Sequence, residues 1–204
     1  MKEIMEEYST TFFACVKEWP KEMREDIYKL YAYLRVTDEM VEGPDEGKDF
    51  EEWRFVIEQF HEVSDKYEFK GEWLEEFHHA MFTDLVKKEH TVVSMLEYCK
   101  GSSEAVGCMM ARILGCPPEA DHYARCLGRA YQIINFVRDY EEDVAKGYHY
   151  IGSSHNFYIR MFRENLDEAM KGIHFVPEEL RRPILLANKA YIEIAEEREV
   201  TWRK

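Results

Sequence analysis

The stretch Gly128-Arg-Ala-Tyr-Gln-Ile-Ile-Asn-Phe-Val-Arg-Asp-Tyr-Glu-Glu-Asp143 decides the fold, because it combines an apolar helical stripe with a strip of oxygen-bearing side chains. The strip consists of Gln132, Asn135, Asp139 and Asp143, at offsets of 0, 3, 7 and 11. At about 100° per residue, these offsets place all four side chains on one face of one helix. Oxygen-only ligands are typical of a hard cation such as Mg²⁺. The alternative interpretation is a solvated acidic face.

A second helix ends in a similar strip. Pro20 suits a helix start, and residues 21–40 contain neither glycine nor a further proline. Its strip consists of Tyr31, Arg35, Asp38 and Glu42, at offsets of 0, 4, 7 and 11. Two such helices facing each other across a bundle would hold Mg²⁺, and Mg²⁺ held by a few carboxylates usually completes its shell with phosphate oxygens. The residues therefore predict a diphosphate substrate.

Four segments, in order along the chain, resemble motifs of the squalene/phytoene synthases, a family that joins two prenyl diphosphates head to head. The segments are Ser9-Thr-Thr-Phe-Phe13 with Trp19-Pro20, Leu30-Tyr-Ala-Tyr-Leu-Arg-Val-Thr-Asp-Glu-Met-Val-Glu42, Tyr98-Cys-Lys-Gly-Ser-Ser-Glu-Ala-Val-Gly107 and Gln132-Ile-Ile-Asn-Phe-Val-Arg-Asp-Tyr-Glu-Glu-Asp143. The last segment is similar to the family's second acidic motif at every defined position.

The resemblance implies an all-α, single-domain bundle of the isoprenoid-synthase type, spanning residues 1–204 around a central apolar cavity and smaller than usual for the family. Breakers predict helices over residues 3–18, 21–42, 49–66, 71–88, 92–114, 118–146, 155–171 and 178–201. The β-branched residues are scattered rather than alternating, so no sheet is expected.

The resemblance also implies roles for individual residues. The predicted metal ligands are Asp38, Glu42, Asn135, Asp139 and Asp143. The other predicted catalytic residues are Tyr31, Arg35, Tyr98 and Gln132, and Tyr98 would face a reactive carbocation. The predicted substrate-binding residues are Ser9, Phe12, Val106, Gly107, Arg138, Tyr150 and Tyr191. The small residues of the helix at 98–114 have two interpretations: they leave room for a prenyl chain, or they let two helices pack closely.

Composition limits the function further. The 204 residues suffice for one large core, and the net charge of −14 argues against a nucleic-acid partner. The five cysteines contain no CxxC pair, which predicts buried thiols in a reducing compartment. No apolar run is long enough to span a membrane. We therefore expect a cytoplasmic protein that contacts membranes transiently through its lipid product.

The chain departs from the family pattern in two places. Asp38-Glu39-x-x-Glu42 stands where the family has Asp-Asp-x-x-Asp, and Gly147-Tyr148-His149-Tyr150 lacks the usual arginine. A smaller bundle would accept shorter chains, expose its cavity, or need a second copy or partner subunit to cover it.

Three functions stay open at this point. The first is head-to-head condensation of farnesyl or geranylgeranyl diphosphate with Mg²⁺, and with NADPH if the enzyme is squalene-type. The second is another prenyl diphosphate reaction, namely hydrolysis, elimination or head-to-tail chain building. The third is a non-catalytic prenyl-binding or assembly protein on the same scaffold.

Overall fold

The computed structural model describes residues 1–8, 10–42 and 50–201, without the side chains of residues 8, 10–12, 42, 50 and 52. The α-helices are α1 (Lys2–Tyr8), α2 (Thr10–Val16), α3 (Lys21–Glu42), α4 (Phe50–Lys66), α5 (Gly71–Val86), α6 (Val92–Cys99), α7 (Ala105–Ile113), α8 (Asp121–Arg138), α9 (Tyr140–Ala145), α10 (His155–Lys171) and α11 (Arg181–Thr201). Over these ranges the chain forms no strand, only one isolated bridge between Glu89 and His149. The predicted all-α class is confirmed.

Helix α8 lies at the centre of the bundle and packs against α10, α7 and α11. Its apolar stripe is fully buried, with Ile133, Ile134 and Val137 all 0% exposed. Burial of such side chains is the main favourable contribution to folding. The polar strip of the same helix lines a cavity instead.

The predicted helix at 92–114 is interrupted by a single π-helical turn, Lys100–Glu104. Its Gly-Ser-Ser run contains weak helix formers, so the regular α-helical pattern is poorly favoured there. The turn is held from α8: Arg129 Nε donates to the buried Glu104 carboxylate at 2.6 Å. An insertion of this kind rotates the following residues relative to a regular helix.

The predicted helix at 118–146 changes conformation at Asp139, which separates α8 from α9. Asp139 has φ −97° and ψ 7°, outside the α-helical region. Backbone hydrogen bonds nevertheless run from Asp139 N to Asn135 O at 2.8 Å and from Asp143 N to Asp139 O at 2.9 Å. The acidic strip therefore continues through the change of conformation.

The five cysteines are buried free thiols, as the sequence predicts. Burial raises the pKa of the Cys99 and Cys108 thiols to about 12, which keeps both protonated and unreactive. Within the part of the chain that the structure describes, none of the helices has the length and apolar character needed to cross a membrane.

Candidate active site

The predicted site residues meet in one cavity of about 560 Å³. This volume falls within the range of roughly 300–1,000 Å³ that small-molecule sites occupy. All predicted residues with described side chains line it: Tyr31, Arg35, Asp38, Tyr98, Val106, Gly107, Gln132, Asn135, Arg138, Asp139, Asp143, Tyr150 and Tyr191. Ser9 and the side chains of Phe12 and Glu42 lie outside the described residues. The structure thus brings these side chains together around a common space, and their individual roles stay predictions.

Helix α3 gives one wall, which changes from apolar to polar along its length. Ile27 and Leu30 line the cavity in the middle of the helix, and Arg35 and Asp38 line it near the carboxyl end. At a rise of 1.5 Å per residue, the wall from Ile27 to Asp38 runs roughly 16 Å. Along α3, the cavity is therefore apolar in its interior and charged at one end.

Helix α8 gives a second wall with the same polarity. Ala124 and Leu127 line the cavity early in the helix, and Asn135 and Asp139 line it at the end. Tyr98 lies near both charged ends: its ring centroid is 6.2 Å from that of Phe136 on α8, and its pKa is raised mainly by burial and also by the charge of Asp38 on α3. Both acidic ends therefore belong to the same end of the cavity.

Each acidic end carries an arginine in ion pairs. Arg138 forms a bidentate pair with Asp139, with Nε to Oδ1 at 2.7 Å and Nη2 to Oδ2 at 2.6 Å. The hydrogen bond to Asp139 raises the pKa of Arg138. Arg35 instead bridges two carboxylates, with Nη1 to Asp38 Oδ2 at 2.9 Å and Nε to Glu39 Oε1 at 3.1 Å. Burial opposes the charge of Arg35, but the two carboxylates outweigh it and raise its pKa.

The donor set at the charged end suits a hard cation, although it does not form a closed cage. No three His, Cys, Asp or Glu side chains within the described residues are arranged to hold a metal ion. Asn135 Oδ1, however, is buried in the cavity wall without a hydrogen-bond partner. A buried acceptor without a donor is costly, and a cation would satisfy it. Mg²⁺ typically takes only one or two carboxylates and completes its shell with water and phosphate.

Aromatic rings form much of the remaining wall. Phe136 stacks on Tyr150 with centroids 4.6 Å apart, and Tyr98 lies 5.3 Å from Tyr150. On another side Tyr191 stacks on Tyr131 at 4.3 Å. Such rings offer an apolar surface whose π faces attract positive charge.

The small residues at 98–114 allow close helix packing, and some of them also line the cavity. A Cβ on Gly101 would overlap the Glu76 carbonyl on α5, and one on Gly107 would overlap the Ala124 carbonyl on α8. These glycines therefore let helices pack closely. Gly107 also lines the cavity, together with Ser102 and Val106, so the thin wall enlarges the space as well.

Tyr148 stands where the family pattern has an arginine, and the ammonium group of Lys88 lies over its ring. Tyr148 stacks on Tyr150 with centroids 5.6 Å apart, and Lys88 Nζ lies 3.6 Å from the centre of the Tyr148 ring. Neither Tyr148 nor Lys88 is among the described residues that line the cavity. Tyr148 and Lys88 thus add no cationic side chain to the described lining of the cavity.

Tyr131 and Asp84 are among the residues of the wall region that the sequence analysis did not predict. Tyr131 lines the cavity, and its hydroxyl donates to Asn188 Oδ1 at 2.6 Å. Asp84, on the last turn of α5, is buried behind Tyr98 and Tyr150. The available signal for Asp84 was helical spacing, since Phe77, Met81 and Asp84 stand at i, i+4 and i+7 on the buried face.

Comparison with known proteins agrees with the site. The family model described as squalene/phytoene synthase matches residues 5–156. A phytoene synthase from Thermus thermophilus is 32% identical, over 70% of this chain and 55% of the relative. A 4,4'-diapophytoene synthase from Staphylococcus haemolyticus is 24% identical, over 93% of this chain and 82% of the relative. The chain thus spans about half the length of the Thermus protein.

A solved structure shows the same fold. The crystal structure of squalene synthase HpnC from Alicyclobacillus acidocaldarius superposes with a TM-score of 0.78 at 17% identity, covering 98% of this chain and 93% of that chain. The match of the family model extends over well more than half of the chain and includes both acidic strips. The chain belongs to the squalene/phytoene synthase family.

Proposed function

We propose that the protein condenses two allylic prenyl diphosphates head to head and releases diphosphate. The observation that carries this proposal is the shared cavity, in which two acidic strips from α3 and α8–α9 stand above an apolar and aromatic depth. The charged end suits a diphosphate, and the depth suits a prenyl chain. The names of the relatives, phytoene and diapophytoene synthase, support the same class of reaction.

The acidic side chains would hold Mg²⁺. The proposed ligands are Asp38, Glu42, Asn135, Asp139 and Asp143. When bound, Mg²⁺ supplies Lewis acidity that stabilises negative charge on a departing diphosphate. Arg35 and Arg138 would exchange their present carboxylate partners for diphosphate oxygens, to which guanidinium groups bind strongly.

The remaining wall residues would control the cation. Breaking the carbon–oxygen bond of one donor leaves an allylic cation and diphosphate. The double bond of the second donor attacks this cation and one proton is lost, giving a cyclopropylcarbinyl diphosphate. Apolar side chains such as Leu34 and Val106 would keep water from the cation, and the π face of Tyr98 would stabilise it. Departure of the diphosphate from this intermediate, with rearrangement of the cyclopropane ring, would leave a second cation; hydride from NADPH would convert it to a squalene-type product, and loss of a proton to a phytoene-type product.

Product analysis tests the proposal. The protein is incubated with farnesyl or geranylgeranyl diphosphate and Mg²⁺, with and without NADPH, and the lipid is identified by mass spectrometry. We expect a coupled C30 or C40 product whose rate of formation Asp139→Asn lowers about 10³-fold and Asp167→Asn, a change at an exposed aspartate on α10, leaves unchanged. Diphosphate release without a coupled product would favour hydrolysis or elimination, and no release from any donor would exclude an enzyme of this class.

A further inference from the structure

Asp84 is a carboxylate enclosed within the wall behind the cavity. Its exposed fraction is 1%. Each oxygen has a tyrosine donor: the Tyr98 hydroxyl donates to Oδ2 at 2.6 Å, and the Tyr150 hydroxyl donates to Oδ1 at 2.9 Å. A buried carboxylate is tolerated only where hydrogen bonds replace the lost water. Asp84 and the two tyrosines therefore form one unit.

The unit determines what the two tyrosines present to the cavity. Tyr98 belongs to α6 and Tyr150 to the segment after α9, and both line the cavity. A tyrosine hydroxyl has a single proton, which each of them gives to Asp84. Burial raises the pKa of Tyr98 well above its ordinary value, so this proton stays in place. The rings, rather than the hydroxyl protons, are left to act on a substrate.

We propose that Asp84 is a positioning residue that holds the rings of Tyr98 and Tyr150 against the cation formed in the cavity. The inference deepens the proposed function and rests on it. A hydroxyl bound to a carboxylate is polarised, which places more negative charge on the ring. The π face of such a ring attracts positive charge more strongly. Asp84 thus acts on the cation through two rings without touching the substrate.

The chain contains a matched control for a purely structural role. Asp26 on α3 is 8% exposed and accepts a hydrogen bond from the Tyr67 hydroxyl at 2.8 Å and another from Lys66 Nζ at 2.6 Å. Tyr67 joins α3 to the region after α4 and is not among the described residues that line the cavity. Asp26 therefore reproduces the buried carboxylate–tyrosine bond at a place away from the proposed chemistry.

The first test compares Asp84→Asn with Asp26→Asn in the full chain, using farnesyl diphosphate and Mg²⁺. Asparagine keeps the shape but accepts at one oxygen only. For Asp84→Asn we expect kcat to fall about tenfold, KM to stay within about twofold, and the share of prenyl alcohol to rise as water captures a poorly held cation. Asp26→Asn should change only the melting temperature. Unchanged kcat and product distribution in a folded Asp84→Asn variant would overturn the proposal.

A double-mutant cycle and a spectroscopic measurement complete the test. If Asp84 acts through the rings, Tyr98→Phe combined with Asp84→Asn should lose no more activity than the worse single variant, whereas additive losses would contradict it. With ¹³Cζ-labelled tyrosine, Asp84→Asn should shift the NMR signals of Tyr98 and Tyr150 and leave Tyr67 unchanged. Unshifted signals would disprove the positioning role whether or not the wild-type protein is active. Inactivity of the wild-type protein would by itself refute only the proposed function.

Discussion

The two acidic strips look equivalent in sequence but differ in structure. On α3 the strip lies on one continuous helix, Lys21–Glu42, and Arg35 divides its hydrogen bonds between Asp38 and Glu39. On α8–α9 the helix changes conformation at Asp139, which receives both hydrogen bonds of Arg138. Among the described side chains, Arg35 at the first strip is thus shared by two carboxylates, whereas Arg138 beside the second strip places its two hydrogen bonds on one aspartate. We infer that the second strip tolerates substitution less well.

The largest expected effect is the loss of activity on substitution of Asp139, compared with that of Asp38 on the other strip. Asp139→Asn should lower the rate of diphosphate release about 10³-fold, or ~4 kcal/mol, because a metal ligand and the partner of Arg138 are lost together. Asp38→Asn should cost about tenfold less, since Glu39 remains within reach of Arg35. Steady-state release of diphosphate measures both. Equal losses would show that the strips are equivalent despite their different pairing.

The conformation and pairing of Asp139 also show which features of the site the sequence did not predict. Spacing predicted that Gln132, Asn135, Asp139 and Asp143 share one helical strip, and in the structure all four line the cavity, because helical periodicity is a local property. The pairing of each carboxylate depends on side-chain rotamers, which spacing does not determine. The bridge conformation of Asp139 and the π turn at Lys100–Glu104 likewise depend on packing against neighbouring helices. Both therefore escaped the prediction.

The residues behind the wall were harder still to predict. No sequence motif singles out Asp84 among the 41 acidic residues, and its partners Tyr98 and Tyr150 lie 14 and 66 positions away. A single sequence contains no pattern that joins such distant positions. The helix positions of the fold were accessible because turns and apolar stripes are local, whereas this unit is created only by tertiary packing.

Ligand binding tests whether the strips close on one ligand. Mg²⁺ with inorganic diphosphate, at about 100 times the dissociation constant, should stabilise the protein by ~2.7 kcal/mol. For a chain of this size the melting temperature should rise by about 5–10 °C. Asp38→Asn and Asp139→Asn should both remove the rise, and diphosphate with EDTA should not produce it. A rise that survives Asp38→Asn would mean that the ligand binds α8–α9 alone.

A stability measurement tests the close packing of α8, the helix that carries the start of the second strip, against the π turn. Gly128, one turn before Gln132, lies against the π turn, and a Cβ there would overlap the Ser103 carbonyl. Gly128→Ala should therefore destabilise the protein by about 2 kcal/mol, measured by urea unfolding. Gly71→Ala is the control, because a Cβ at Gly71 meets no atom within 4 Å and should change stability by less than ~1 kcal/mol. Equal stability of the two variants would mean that α8 can move away from the π turn freely.

The smallest expected effect distinguishes the two arginines. Lysine keeps the charge but cannot form the paired hydrogen bonds that Arg138 makes with Asp139, so Arg138→Lys should lower kcat/KM about tenfold. Arg35 gives one hydrogen bond to each of two carboxylates, an arrangement that a lysine ammonium between them can largely reproduce. Arg35→Lys should accordingly cost about threefold or less, or ~0.7 kcal/mol. Kinetics over a range of Mg²⁺ concentrations would measure both, and a larger loss in Arg35→Lys would reverse the order of the two strips. Such a reversal would mean that bound diphosphate takes its planar bidentate contacts from α3, and that the carboxylate pairing of the two arginines does not predict which strip is more sensitive to substitution.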